Sequence, residues 1–155
     1  GPLSSPAQVK RQVIGVFDKK WMKPFAEALK ENNVVHAYIV HSQDGMDEIS
    51  PFAKTDVVEL KDGTISEFII DPKDLGISEG DKENLKGKNA DYNAEKIIDI
   101  YKGTSNEFSQ SVALNAAAGL IVSGKENDFK NAFEKVNKLL SSGKVFEHLT
   151  KLQSK

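Results

Sequence analysis

The first forty positions contain two short hydrophobic runs separated by a pattern of helical spacing. The runs cover residues 13–17 and 34–40 and are rich in β-branched side chains, as is typical of strands covered on both faces. Asp18 is placed to cap the intervening helix, and Asn32-Asn33 to end it. The apolar residues of that helix are Trp21, Met22, Phe25, Ala26 and Leu29. Strand, helix and strand in this order predict a βαβ unit with parallel strands.

A hairpin and a run of helices follow this unit. Two strand-like segments, 57–60 and 65–70, flank Asp62-Gly63, a dipeptide typical of two-residue hairpin turns. Residues 71–90 form a long polar connection. After Asp91 the spacing predicts four helices, the first three ending at glycines. Those glycines are Gly103, Gly124 and Gly143. The predicted fold class is therefore α/β: a parallel βαβ core, a β-hairpin insertion and a C-terminal run of helices.

Composition and charge limit the classes of partner. The 155 residues are enough for one domain, or for part of a larger one. The net charge of −2 gives no reason to expect nucleic acid or a membrane surface as a partner. The longest weakly polar run, Ser111–Gly124, is too short to span a bilayer. The lack of cysteine excludes disulfides, thiolate catalysis and zinc–thiolate sites, and it fits a reducing cytoplasm, where we expect the protein to reside.

The segment HSQDGMDEIS, residues 41–50, is the strongest candidate for chemistry. It places Asp44, Asp47 and Glu48 directly behind the second strand run. Ligands of open α/β sheets collect beyond the carboxyl ends of parallel strands. Adjacent carboxylates suit Mg²⁺, which keeps several waters and shares its ligands with substrate phosphates. A solvated acidic turn explains the same residues, and local sequence leaves both interpretations open.

Other polar residues carry weaker signals. His36 lies inside an apolar run and is expected to be packed, while His148 is expected on the surface. His41 could orient a group or exchange a proton, but the sequence supplies no third member of a triad. Asn115, on an apolar helix, is expected to be satisfied by backbone rather than by a ligand. Lys10-Arg11 could meet an anion or remain solvated, and no glycine-rich phosphate loop occurs.

Several motifs, taken in order, resemble anthranilate phosphoribosyltransferase. They are GPLSSPAQVKRQVIGVF, AEAL, IVHSQDGMDEISP, ELKDG, DPKDLGI and LNAAAGL. The resemblance runs from Gly1 to the last helix, and the opening GPLSSP continues into it without a break. We therefore expect that opening to belong to the family segment rather than to a protease-site scar.

The resemblance implies an activity and a set of site residues. Members transfer a phosphoribosyl group from phosphoribosyl pyrophosphate to anthranilate in tryptophan biosynthesis, releasing pyrophosphate, and are usually homodimers. By likeness to the family, Asp47 and Glu48 bind Mg²⁺, while Gly1 and Pro2 line the anthranilate pocket. Asp44 stays outside the metal site, and no protein nucleophile is implied, so positioning and electrostatics carry the rate.

This chain also departs from the family pattern. Residues 1–155 correspond to the C-terminal portion of one α/β domain. The helical domain, the Gly-Thr-Gly-Gly-Asp diphosphate loop and an anthranilate-contacting arginine belong to the upstream half. Ser5 and Ser42 replace the usual asparagine and glycine. We expect this chain alone to be inactive and to need that N-terminal half. The alternatives are a non-catalytic binding or assembly module and a related pyrimidine nucleoside phosphorylase.

Overall fold

A four-stranded sheet organises the described part of the chain. The computed structural model describes residues 3, 6–78, 80 and 85–154. The strands are β1 (Arg11–Gly15), β2 (His36–Ser42), β3 (Thr55–Lys61) and β4 (Thr64–Ile70), and they lie in that order across the sheet. The α-helices are α1 (Met22–Glu31), α2 (Ala90–Tyr101), α3 (Glu107–Val122), α4 (Phe129–Ser141) and α5 (Lys144–Gln153). Two short 3₁₀ turns, Lys19–Trp21 and Pro72–Leu75, precede α1 and follow β4.

The predicted βαβ unit is present. β1 pairs with β2 in parallel, with Arg11 opposite His36 and Gly15 opposite Val40. Asp18 caps the 3₁₀ turn by accepting a hydrogen bond from the Lys20 backbone N–H at 3.0 Å. The helix that follows ends at Asn32, as the Asn-Asn pair predicts. Because the two strands are parallel, their carboxyl ends lie at the same edge of the sheet.

Helices cover both faces of this sheet. Side chains alternate along β2, so that Ala37 and Ile39 join the core beneath α1, whereas Tyr38 and Val40 join the core beneath α3 and α4. α3 packs against β1, β2 and α4, and small buried residues allow its close approach. Those residues are Ser109, Ser111, Ala113, Ala117 and Ala118. The predicted α/β class is confirmed, with the central strand β2 buried on both sides.

The hairpin joins the same sheet and makes it mixed. β3 pairs antiparallel with β2 and with β4, and the β3–β4 register closes with Lys61 opposite Thr64. Asp62 and Gly63 occupy the two-residue turn with φ of 49° and 80°. Two consecutive positive φ values define the type I′ turn that matches the twist of the flanking strands. The predicted hairpin is therefore confirmed. Because β3 pairs with β2, the acidic segment between them connects two neighbouring strands of one sheet.

The four predicted C-terminal helices are confirmed, and each of the three predicted glycines follows the end of a helix. Asn106 starts α3 with a capping box, in which its side chain and that of Ser109 each accept from the other's backbone N–H. None of the helices in the described part of the chain combines the length and the apolar character that a membrane span requires.

Two local predictions are wrong. β1 spans Arg11–Gly15 rather than residues 13–17, and Phe17 beyond its end is 75% exposed. Val13 and Ile14 nevertheless pack against the cores on opposite faces of the sheet, as predicted for a strand covered on both faces. Trp21 belongs to the 3₁₀ turn and keeps 42% of its surface exposed, so it is not part of the buried face of α1.

Lys10 contacts the carbonyl oxygen of Asn32, and Arg11 donates to that of Val122 at 2.7 Å, so the basic pair stabilises the fold.

Candidate functional site

The acidic segment connects β2 to β3 at the carboxyl edge of the parallel strand pair. Two backbone hydrogen bonds shape it: the Ser42 N–H donates to the Met46 carbonyl at 2.9 Å, and the Gln43 N–H donates to the Lys54 carbonyl at 2.8 Å. We call residues 43–54 the acidic loop. Its location is the one that the sequence predicts for a ligand-binding connection.

Asp44 stabilises the acidic loop from within. Its Oδ1 accepts from the Met46 N–H at 3.2 Å, and its Oδ2 accepts from the Ser50 hydroxyl at 2.8 Å. The Ser50 Oγ in turn accepts from the Phe52 N–H at 3.0 Å. Both carboxylate oxygens of Asp44 therefore hold the loop in shape, in keeping with its place outside the predicted metal site.

Asp47 and Glu48 have a different environment. Both are exposed, and neither carboxylate forms a hydrogen bond or an ion pair with another described residue. They line one open groove of about 450 Å³ between the ends of β1 and β2 and helix α3. The other lining residues are Val13, Gly15, Val40, Ser111, Val112 and Asn115. The two adjacent carboxylates are thus available to a cation on this groove.

Gly15 permits the close approach of the acidic loop to β1. A Cβ atom built on Gly15 would lie 1.5 Å from the backbone carbonyl oxygen of Asp47 and 2.6 Å from its carbonyl carbon. Real Cβ atoms essentially never approach another heavy atom closer than 3.0 Å. The Asp47 backbone therefore rests against a strand position that only glycine can occupy.

Asn115 holds the other side of the loop. Its Oδ1 accepts from the Ile49 N–H at 3.0 Å, and its Nδ2 donates to the Ile49 carbonyl at 3.1 Å. Nδ2 also donates to the Ser111 carbonyl at 3.0 Å, one turn earlier in α3. The expectation that backbone groups satisfy this amide is confirmed, and the backbone it satisfies directly follows the Asp47-Glu48 pair.

The donor set fits a magnesium ion that retains water. Among the described residues, no three or more histidine, cysteine, aspartate or glutamate side chains cluster as a complete metal cage. Two exposed carboxylates beside an open groove match the way Mg²⁺ is usually bound, through one or two protein carboxylates with substrate phosphates and water as the remaining ligands.

The histidines lie outside this groove. His36 is 4% exposed and shares a 2.7 Å hydrogen bond with Glu59, which confirms that it is a packed residue. His41 Nδ1 lies 2.8 Å from the Val16 carbonyl, so it links the ends of β1 and β2. His148 is exposed on α5. Gly1 and Pro2, the predicted anthranilate-pocket residues, lie outside the described residues.

Sequence reasoning missed the roles of Gly15 and Asn115. A glycine inside a β-branched run and an asparagine inside an apolar helix were the visible signals. Each indicates a local constraint, but neither indicates that the partner is the acidic loop, which lies 66 residues from Asn115 at Ile49.

Fold and site together define an α/β domain with a carboxylate-bearing groove at the carboxyl edge of its parallel strands. The sequence profile described as "Glycosyl transferase family, a/b domain" matches residues 1–146. The chain therefore belongs to the glycosyl transferase family, and the match lies within the α/β domain of that family.

Two curated relatives carry the same name. It is 54% identical over 154 residues to anthranilate phosphoribosyltransferase of Pelagibacter ubique, covering 99% of this chain and 47% of the relative. It is 42% identical to the Azospirillum brasilense protein of the same name, covering 98% of this chain and 44% of that protein. The chain thus spans about half the length of these relatives.

Solved structures agree with the fold. A crystal structure of anthranilate phosphoribosyltransferase from Thermus thermophilus superposes with a TM-score of 0.87 at 30% identity, over 97% of this chain and 44% of that one. The Saccharomyces cerevisiae enzyme, in complex with PRPP and Mg, superposes with a TM-score of 0.84 over the same shares at 22% identity, a likeness of fold alone.

Proposed function

We propose that this chain forms the metal-binding side of an anthranilate phosphoribosyltransferase active site. The observation that carries the proposal is the exposed Asp47-Glu48 pair on an open groove, in a chain 54% identical to a relative of that name. The substrates would be phosphoribosyl pyrophosphate and anthranilate, and the whole protein would act as a cytoplasmic homodimer. The absence of cysteine is compatible with that compartment.

In the proposed reaction the bond between the ribosyl C1 and a diphosphate oxygen breaks. The anthranilate nitrogen bonds to C1 and loses one proton, and pyrophosphate leaves. When bound, Mg²⁺ supplies charge neutralisation for the departing diphosphate. Asp47 and Glu48 would hold that ion at the edge of the groove, while Gly15 and Asn115 fix the backbone that carries them.

The groove also indicates what the rest of the active site has to supply. No lysine or arginine lies among its described lining residues, and its charged members are both carboxylates. A diphosphate carries several negative charges and requires cationic groups or oriented N–H donors in addition to one metal ion. We propose that the upstream half of the protein supplies them, and that this chain alone is inactive.

A chimera tests the proposal. The upstream half of the Pelagibacter ubique relative is fused to this chain, which replaces the corresponding C-terminal part of that protein. We expect the fusion to consume anthranilate only when both phosphoribosyl pyrophosphate and Mg²⁺ are present, which is followed by loss of anthranilate fluorescence. The matched control carries Asp47→Asn and Glu48→Gln, which keep side-chain size and remove both charges.

Two results would contradict the proposal. One is a fusion as active with the double substitution as without it, since the carboxylates would then have no part in transfer. The other is a folded but inert fusion beside an active, identically prepared Pelagibacter protein. A fusion that instead accepts pyrimidine bases would assign the related nucleoside phosphorylase activity.

A further inference from the structure

Asn115 makes a pair of hydrogen bonds that is specific to the acidic loop. The side-chain amide forms hydrogen bonds with both backbone groups of Ile49, accepting from its N–H at 3.0 Å and donating to its carbonyl at 3.1 Å. This two-point contact imitates the pairing of two strands and fixes the orientation of the Ile49 peptide groups, which a single hydrogen bond would leave free to rotate. The Ile49 side chain is fully buried, so the loop is anchored at this residue on both its backbone and its side chain.

The amide has little capacity left for a ligand. An asparagine side chain has two N–H donors and one carbonyl oxygen. One donor goes to the Ile49 carbonyl, the other goes to the Ser111 carbonyl at 3.0 Å, and the oxygen accepts from the Ile49 N–H. Although Asn115 lines the groove, its polar atoms are committed to backbone. This argues for positioning rather than for contact with a bound molecule.

Position in the sequence connects this contact to the carboxylates. Ile49 directly follows Asp47-Glu48, and on the other side the Asp47 carbonyl rests against Gly15. The pair therefore lies on a short stretch held at one end by α3 and at the other by β1. Groups that orient metal-binding carboxylates without touching the metal typically affect metal affinity strongly.

We infer that Asn115 is a positioning residue for the metal-binding pair, setting Asp47 and Glu48 toward the groove through its two hydrogen bonds to Ile49. The inference rests on the proposed function, because it assigns a role relative to a cation at that pair. It gives an α3 residue a role toward a metal-binding pair that is itself carried by the β2–β3 connection.

The test measures binding of Mn²⁺ alone, as a paramagnetic substitute for Mg²⁺, by the loss of the free-ion EPR signal on titration with the full chain. Asn115→Ala removes all three hydrogen bonds and keeps a residue with high helix propensity. We expect it to weaken Mn²⁺ binding by about tenfold or more. In ¹⁵N spectra we also expect the Ile49 amide proton to exchange faster with solvent.

Asn106→Ala is the matched control, since it removes the asparagine that caps the same helix. Its side chain caps α3 at the Ser109 N–H and forms no hydrogen bond to the acidic loop, so we expect the variant to lose stability without altering the metal-binding pair. We expect Mn²⁺ affinity within twofold of the parent chain. Equal losses in the two variants would reduce Asn115 to a general stabilising role and overturn the inference.

The Asp47→Asn, Glu48→Gln double variant separates this inference from the proposed function. If it binds Mn²⁺ as well as the parent does, the metal-binding pair is wrongly assigned and both proposals fail. If it loses binding while Asn115→Ala keeps it, only the positioning role fails. Should Asn115→Ala not fold, as judged by its ¹⁵N spectrum, Asn115→Gln replaces it. The extra methylene displaces the same amide, so the same loss of Mn²⁺ affinity is expected, and unchanged affinity would overturn the inference.

Discussion

Replacement of Gly15 by alanine tests the close approach between β1 and the acidic loop. The added methyl group would lie 1.5 Å from the Asp47 carbonyl oxygen, and this distance has to double to reach 3.0 Å, the lower limit of real contacts. The neighbour is backbone, so no side-chain rotation relieves the clash. Either the loop moves away from β1, or the end of β1 moves out of its register with Val40.

Both responses carry a cost that can be estimated. Overpacking of this kind typically costs about 1–3 kcal/mol. A displaced loop also weakens the two hydrogen bonds between Asn115 and Ile49, each of which contributes about 0.5–1.5 kcal/mol. If both hydrogen bonds are lost, we expect Gly15→Ala to lower the free energy of unfolding by about 2–6 kcal/mol, a large share of the ~5–15 kcal/mol typical of a domain.

Urea unfolding, monitored by circular dichroism, measures the loss in free energy of unfolding, and ¹⁵N spectra show which residues are affected. We expect the largest shifts at Asp47, Glu48 and Ile49. Gly119→Ala is the control, because a Cβ there meets nothing within 4 Å and the residue lies inside α3. That change should stabilise the chain by up to about 1 kcal/mol. The steric reasoning is refuted if the free energy of unfolding of Gly15→Ala lies within about 0.5 kcal/mol of the parent's and the loop resonances do not shift. That margin is about the effect of an ordinary surface substitution.

Three further predictions concern other parts of the chain. Burial raises the pKa of the Tyr38 phenol, with a smaller contribution from the Glu59 carboxylate, so the folded state disfavours its ionisation. The stability that Tyr38 provides relative to Tyr38→Phe should be fully present below about pH 10, the unfolded pKa, and should decline as the pH rises above it, as measured by urea unfolding at several pH values. Gly63→Ala places a Cβ at φ 80° in the hairpin turn and should lower the free energy of unfolding by about 1 kcal/mol in the same assay. An unchanged urea midpoint would contradict the type I′ assignment. The purified chain, given Mg²⁺ and both substrates, should form no phosphoribosyl product, because the described lining of its groove holds no cationic side chain; product above a no-protein blank, in a mass-spectrometric assay, would refute this.

The fold could be predicted where the determinants are local. The hairpin follows from Asp62-Gly63, because those residues tolerate the positive φ values of the turn. The helices follow from apolar spacing and from glycines beyond their ends. The edge position of β1 could not be predicted in this way, because a run of β-branched residues looks the same in an edge strand as in a central strand.

The acidic loop shows why local sequence left two interpretations of its carboxylates open. Asp44, Asp47 and Glu48 carry the same charge and lie close together in sequence. Asp44, however, accepts hydrogen bonds from the Met46 N–H and the Ser50 hydroxyl, while the other two are exposed at the groove. The difference arises from contacts distant in sequence: the missing Cβ on β1 admits the Asp47 backbone, and an amide on α3 fixes the residue after Glu48. A solvated acidic turn would need neither contact. That both are present, one on each side of the Asp47-Glu48 pair, is the physical reason to favour a positioned metal-binding pair over a solvated turn.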